Sequence, residues 1–260
     1  SVAMEQHQNW IEARKRLEAV VKTQPGNGEA QFWLGVSHQQ IGGEPEKAIE
    51  AYRAAVKASY FDQYLAHWHL GEVFGSPGAT RDVDVARDHL NKCLTLKPEH
   101  FQCLEEQAKI AISENQYDDA IKLLRTVETA IAKLPAAKKD PVIVRVRLQQ
   151  GKIFRQQGKV REAEALFLKI LKQEKNAEVM WNLGQLASEN DSRAAKDWYQ
   201  KAIRANDAYA PPYRDLAYIQ KEDGNDCLAK RNFELFIAKT PNEKEKKPVE
   251  DDLSSLTCEK

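Results

Sequence analysis

Small residues recur along this chain at a nearly fixed interval, and that interval limits the fold more than any other feature. Gly35, Gly71, Ala108, Gly151, Gly184 and Ala217 stand at successive steps of 36, 37, 43, 33 and 33 residues, four of them directly after a leucine. A second series interleaves with the first: Ala13, Ala48, Ala86, Ala120, Ala163, Ala195 and Ala229. Four residues after each alanine stands a large apolar side chain: Leu17, Tyr52, Leu90, Leu124, Phe167, Tyr199 and Phe233. Spacing of four places both on one helical face. Between the two series lie turn signals, "QIGGEPE", "ENQYDD", "QQGKVRE" and "EDGNDC", each with a glycine or asparagine suited to a left-handed helix end. The unit is therefore a pair of helices whose small residues allow close approach. Neither helix can bury its apolar face alone, so the units must stack.

Six such units in succession, over roughly 28–241, resemble the tetratricopeptide repeat, whose 34-residue pattern reads W-x2-L-G-x2-Y, then A-x3-F, then P. Pro25, Pro98 and Pro241 supply the final proline, twelve residues after their alanines. The resemblance implies an all-α, right-handed superhelical solenoid of antiparallel helix pairs, with a concave groove that holds a protein partner.

Departures from the pattern set the expected domain organisation. Residues 1–27 match the second helix of a unit whose first helix is absent, so an upstream part of the natural protein is expected. The insertion "GSPGATRDVD" lengthens one turn. A long, basic, proline-bounded linker is expected near 128–141. Residues 242–260, charged and poor in aromatics, read as a disordered tail or, alternatively, a short capping helix over Phe233 and Phe236.

Composition narrows the function classes. Lysine plus arginine and aspartate plus glutamate both number 39, so the formal net charge is zero and no basic footprint for nucleic acid exists. No apolar run reaches membrane-spanning length. Four cysteines, Cys93, Cys103, Cys227 and Cys258, form no C-x-x-C pair, which predicts reduced thiols in a cytoplasmic protein. Phosphate loops, dinucleotide fingerprints, H-E-x-x-H and G-x-S-x-G are all missing from the sequence. His67 and His69 of "HWH" point about 200° apart on a helix and cannot share an ion. No catalysis, cofactor or metal is expected.

Three stretches, "QFWLGVSH", "AHWHLGEVF" and "VMWNLGQLA", place a tryptophan just ahead of Leu-Gly. In the resembled family that pair occupies positions 7 and 8 of the first helix, and position 5 lines the groove. The resemblance then assigns Phe32, Trp68 and Trp181 to the groove, with Trp33 beside them at position 6. It adds Lys109, Arg145, Lys152, Arg155, Gln185, Arg214 and Tyr218. Aromatic rings with arginines are the composition of binding hot spots, so the expected ligand is a peptide or helix segment with apolar and acidic residues. Removing Trp68 or Trp181 is expected to weaken binding and leave stability nearly intact.

The family's use as a clamp for chaperone C-terminal carboxylates is disfavoured: of the position-6 residues only Asn182 suits it, while Glu106 and Asp215 would repel. The expected function is a protein–protein interaction scaffold or adaptor. Two other readings stay open: a regulatory or targeting domain of a larger signalling protein or enzyme, and a self-associating structural component.

Overall fold

The computed structural model describes residues 2–257, with side chains from residue 5. These residues form helices and, among them, no strand. In order they are α1 (Val2–Thr23), α2 (Gly28–Ile41), α3 (Pro45–Lys57), α4 (Gln63–Gly75), α5 (Val83–Leu96), α6 (Phe101–Ser113), α7 (Tyr117–Ile131), α8 (Ala136–Gln156), α9 (Val160–Leu171), α10 (Ala177–Ser188), α11 (Ser192–Ala205), α12 (Pro211–Glu222), α13 (Asp226–Lys239) and α14 (Glu243–Ser254). The chain divides into two compact units, Ser1–Lys139 and Asp140–Lys260. The first unit carries α1 and the hairpins α2/α3, α4/α5 and α6/α7. Most of α8 lies in the second unit, where it pairs with α9 ahead of the hairpins α10/α11 and α12/α13 and the final helix α14.

The interleaved small and large residues are the hairpin cores. Ala48, Ala86, Ala120, Ala163, Ala195 and Ala229 are fully buried, as are Tyr52, Leu90, Phe167 and Phe233. Close approach explains the glycines. A Cβ on Gly35 would stand 2.6 Å from the Tyr52 ring, and one on Gly71 would stand 2.5 Å from Leu90. Gly151 and Gly184 press equally hard on Phe167 and Tyr199. The predicted left-handed turn residues are found at Gly42, Asn115, Gly158 and Gly224, with φ of 80°, 59°, 70° and 75°.

Two expectations need correction, on the linker and on the cysteines. The linker near 128–141 is mostly helix: α7 runs to Ile131 and α8 begins at Ala136 and continues through Pro141, which stands inside the helix and forgoes the one backbone hydrogen bond its missing N–H would make. Of the two readings of the charged tail the structure has the helix, α14, with Val249 and, just beyond it, Leu256 packed in one cluster with Phe233 and Phe236. Within residues 1–27 there is one uninterrupted helix of 22 residues, α1. Finally, Cys93 and Cys103 form a disulfide, and no described cysteine is free. The thiols are not reduced, which removes the argument for a cytoplasmic setting.

A candidate partner face on the first helices

Each position-5 aromatic meets a second ring that stands just before the first helix of the next hairpin. Phe32 on α2 stacks on Tyr60, with centroids 5.0 Å apart. Trp68 on α4 meets His100 edge-on at 5.6 Å, and Trp181 on α10 meets Tyr209 edge-on at 6.1 Å. These contacts staple each hairpin to its successor. Aromatic pairs of this kind contribute roughly 0.5–1.5 kcal/mol beyond the area they bury. Phe32 is buried with only 3% of its surface exposed, so it belongs to the core and is withdrawn from the partner face. Trp68 and Trp181 are half-buried.

Trp33, one position further round α2, is 43% exposed. Its ring leans edge-on against Phe32 at 5.3 Å, and Tyr60 in turn meets Phe61 at 4.8 Å. Phe61, in the turn before α4, is 79% exposed. The four rings Trp33, Phe32, Tyr60 and Phe61 thus form one continuous chain with a buried middle and two open ends.

In the second unit the predicted residues are joined by polar contacts. Trp181 Nε1 donates to Asp215 Oδ2 at 2.6 Å, and Gln185 Nε2 donates to the same oxygen at 2.5 Å. Arg214 Nε donates to Asp215 Oδ1 at 2.8 Å and its guanidinium lies 5.5 Å from the Phe236 ring. Gln185 also donates to the Tyr199 hydroxyl at 3.0 Å. Arg155 reaches Gln185 Oε1 at 3.4 Å while its guanidinium covers Trp181 at 5.7 Å. Tyr218 donates to Asp252 Oδ2 at 2.9 Å, and burial followed by that contact pushes its hydroxyl up to about 12. Lys221 reaches Asp252 Oδ1 at 2.7 Å, and Lys152 pairs with Glu178. Contacts therefore run from α8 to α10, α10 to α12 and α12 to α14.

This pairing changes the electrostatic expectation. Lys152 and Arg214 already face carboxylates of the chain itself, and so does Lys109, 2.6 Å from Glu106. Lys109 lines a cavity of about 340 Å³ under the inserted turn, beside Arg81, Glu72 and Glu106. Arg145 is exposed on α8. Asp215, read from sequence as a group that repels, is the hub of the second unit's face. Asn182 is fully buried and donates to the Glu178 carbonyl at 2.8 Å, so it faces the core and cannot meet a ligand.

His67 is buried, and its Nδ1 lies 2.9 Å from that of His89, the two atoms sharing a hydrogen. Burial lowers the His67 imidazole below its usual range; burial and then the neighbouring His67 lower His89 to about 4. His69 faces elsewhere, stacked on Tyr52 at 5.1 Å. Sequence reading missed Tyr60, His100 and Tyr209. The available signal is a ring 28 or 32 residues after the position-5 aromatic.

Stacked helical hairpins with staggered aromatic contacts, and no polar constellation arranged for acid–base or nucleophilic work on this face, define a helical repeat protein. The family model for the tetratricopeptide repeat matches residues 3–62 and 148–211. Over those two stretches the chain carries the tetratricopeptide repeat, and its fold is that of tetratricopeptide repeat proteins. It is similar in fold to a tetratricopeptide repeat protein from Parabacteroides merdae, with a TM-score of 0.73 at 16% identity over 97% of this chain and 98% of that one. Pseudomonas aeruginosa pilF gives 0.65 at 18% identity, over 94% and 99%. Yeast Tom70 gives 0.61 at 12% identity; the match covers 96% of this chain but 59% of that one. At these identities the likeness is one of fold alone. No curated protein matches the sequence. No helix among the described residues is long and apolar enough to cross a membrane.

Proposed function

We propose that the chain is a protein-interaction scaffold whose first unit presents Trp33 and Phe61 to an apolar segment of a partner protein. The observation that carries this reading is the four-ring chain: its buried middle fixes the geometry, and its two large apolar ends stand in solvent. Exposed rings anchored on a rigid base are suited to hot-spot contact because little side-chain freedom remains to be lost on binding. Trp68, half-buried on α4, packs against the same core cluster as Phe32 and Tyr60. The second unit supports the scaffold differently. Its rings and cations are engaged with one another, so Arg155, Trp181, Arg214 and Tyr218 shape a surface already satisfied before any partner arrives. An apolar anchor therefore fits this protein better than an acidic one.

The test compares wild type with Trp33→Ala and Phe61→Ala in affinity capture read by mass spectrometry, together with thermal melts. Both variants should stay folded, each losing about 0.5–1.5 kcal/mol with the edge-on ring pair it gives up, and should lose the same captured partner. A partner retained by both variants would remove the proposal.

A further inference from the structure

Three metal-ligating side chains meet at one buried point where α5 gives way to α6. Cys93 lies in the last turn of α5, His100 stands at the N-cap of α6, and Cys103 lies in the first turn of α6. Their Sγ, Nδ1 and Sγ atoms all lie within 4.8 Å of one another. His100 Nδ1 is 3.1 Å from Cys103 Sγ and 3.6 Å from Cys93 Sγ. Cys93 and Cys103 are completely buried and His100 is 7% exposed. The spacing C-x6-H-x2-C resembles no standard ligand run, so the sequence concealed the cluster; the fold assembles it.

We propose that Cys93, His100 and Cys103 form a metal site in the reduced chain, one that takes a thiophilic closed-shell cation such as Zn²⁺ or Cu⁺, and that the disulfide and the metal are alternative occupants of one place. The donor set is two thiolates and one imidazole, which suits soft and borderline ions and excludes hard ones such as Mg²⁺ and Ca²⁺. The disulfide leaves the Cα atoms 6.6 Å apart, at the wide end of what such a bond spans. Side-chain rotation alone can therefore part the sulfurs to the roughly 3.8 Å that two 2.3 Å metal–sulfur bonds at a tetrahedral angle require.

The His100 imidazole is itself enclosed. Tyr64 and Trp68 cover it edge-on, at 5.1 and 5.6 Å between centroids. Entry is from the turn at Lys97, Pro98 and Glu99, all exposed. Among the described residues no fourth His, Cys, Asp or Glu joins the group, so the coordination is three protein ligands with one position left for water, or trigonal.

The exchange balances. Two molecules of a low-molecular-weight thiol reduce the Cys93–Cys103 bond and leave as their own disulfide. The incoming cation then displaces both cysteine protons to solvent. Oxidation by a disulfide reverses the sequence and expels the ion.

The full chain, reduced and then freed of reductant without air, is titrated with Co²⁺ as a spectroscopic stand-in for Zn²⁺ and, separately, with Cu⁺ against a chromophoric chelator. One equivalent should bind, and Co²⁺ should give a thiolate charge-transfer band; the oxidised chain should bind none. Cys93→Ser should abolish the band, and the double substitution of Cys227→Ser and Cys258→Ser should retain it. In wild type, Zn²⁺ should slow alkylation of Cys93 and Cys103 at least tenfold, a readout that needs no variant to fold. Binding of Cu⁺ alone would assign a trigonal site. Failure of a natively helical reduced chain to bind either ion, or a band that survives Cys93→Ser, would overturn the proposal.

Discussion

Trp68 and Trp181 occupy the same position of the repeat yet stand in opposite chemical surroundings. Each staples its hairpin to the next through a ring placed before the following helix. At Trp181 the indole is tied: its Nε1 donates to Asp215, which also accepts from Gln185 and Arg214. Around Trp68 the neighbours are His69 and His100, and its buried Nε1 has no acceptor. One scaffold position has thus been built once with charge and once with imidazole. The difference shows that repeat geometry fixes where a ring goes, while the residue one repeat onward decides how strongly that ring is tied.

Imidazole in place of carboxylate makes the first unit the acid-sensitive one. All six histidines precede residue 101, and the second unit has none. Burial is the first cause that lowers His38, His67, His89 and His100, with His89 and His100 brought to about 4. A histidine whose folded pKa is depressed binds its proton more readily when unfolded. Its contribution is therefore complete above the unfolded value near 6.5 and disappears as pH falls towards 4. Glu106 acts in the opposite sense, since burial raises its carboxyl. Glu44, Glu72 and Asp88, each lowered first by its hydrogen bond to Lys47, His69 or Lys92, act with the four histidines. Between pH 6.5 and 4, hydrogen exchange should quicken in α4, α5 and α6 well before α10, α11 and α12. Simultaneous loss of protection in both units would end this comparison.

A smaller effect probes the carboxylate itself. Asp215→Ala leaves the Trp181 donor, the Gln185 amide and the Arg214 cation without their shared acceptor in a half-buried setting. The expected cost is about 3 kcal/mol, seen as a lowered denaturation midpoint and faster exchange in α10 and α12, with the first unit unaffected. A change under about 0.5 kcal/mol would mean that solvent replaces Asp215 at little cost.

What could be read from the sequence follows from how local each cause is. The hairpins were legible because Gly35 with Tyr52, or Gly184 with Tyr199, meet within one unit, only 17 and 15 residues apart. The tail was legible only as two alternatives, because averaged composition argues for disorder while Val249, Leu253 and Leu256 supply the few apolar contacts to the Phe233 and Phe236 cluster that a helix needs. Position-5 rings were legible, but Tyr60, His100 and Tyr209 become their neighbours only when hairpins stack. Counting placed Phe32 outside and left Trp33 as its companion; packing reversed them, because the ring that meets Tyr52 and Tyr60 is the one that is buried. Reading Asp215 by the sign of its charge alone missed that a carboxylate between an indole, an amide and a guanidinium binds the repeats together.

The smallest expected effect isolates the hydrogen bond from the ring. Phenylalanine keeps an aromatic face but deletes Nε1. At position 181 the change removes a donor from Asp215 and thins the surface under Arg155, which should cost about 1–2 kcal/mol. At position 68 there is no bond to lose, and deletion of an unsatisfied buried N–H offsets part of the lost area. Trp68→Phe should therefore fall within about 0.5 kcal/mol of wild type in chemical denaturation at neutral pH, where the neighbouring imidazoles are neutral. Equal costs at both positions would show that ring size, and not the acceptor one repeat onward, ties position 5 to its neighbour.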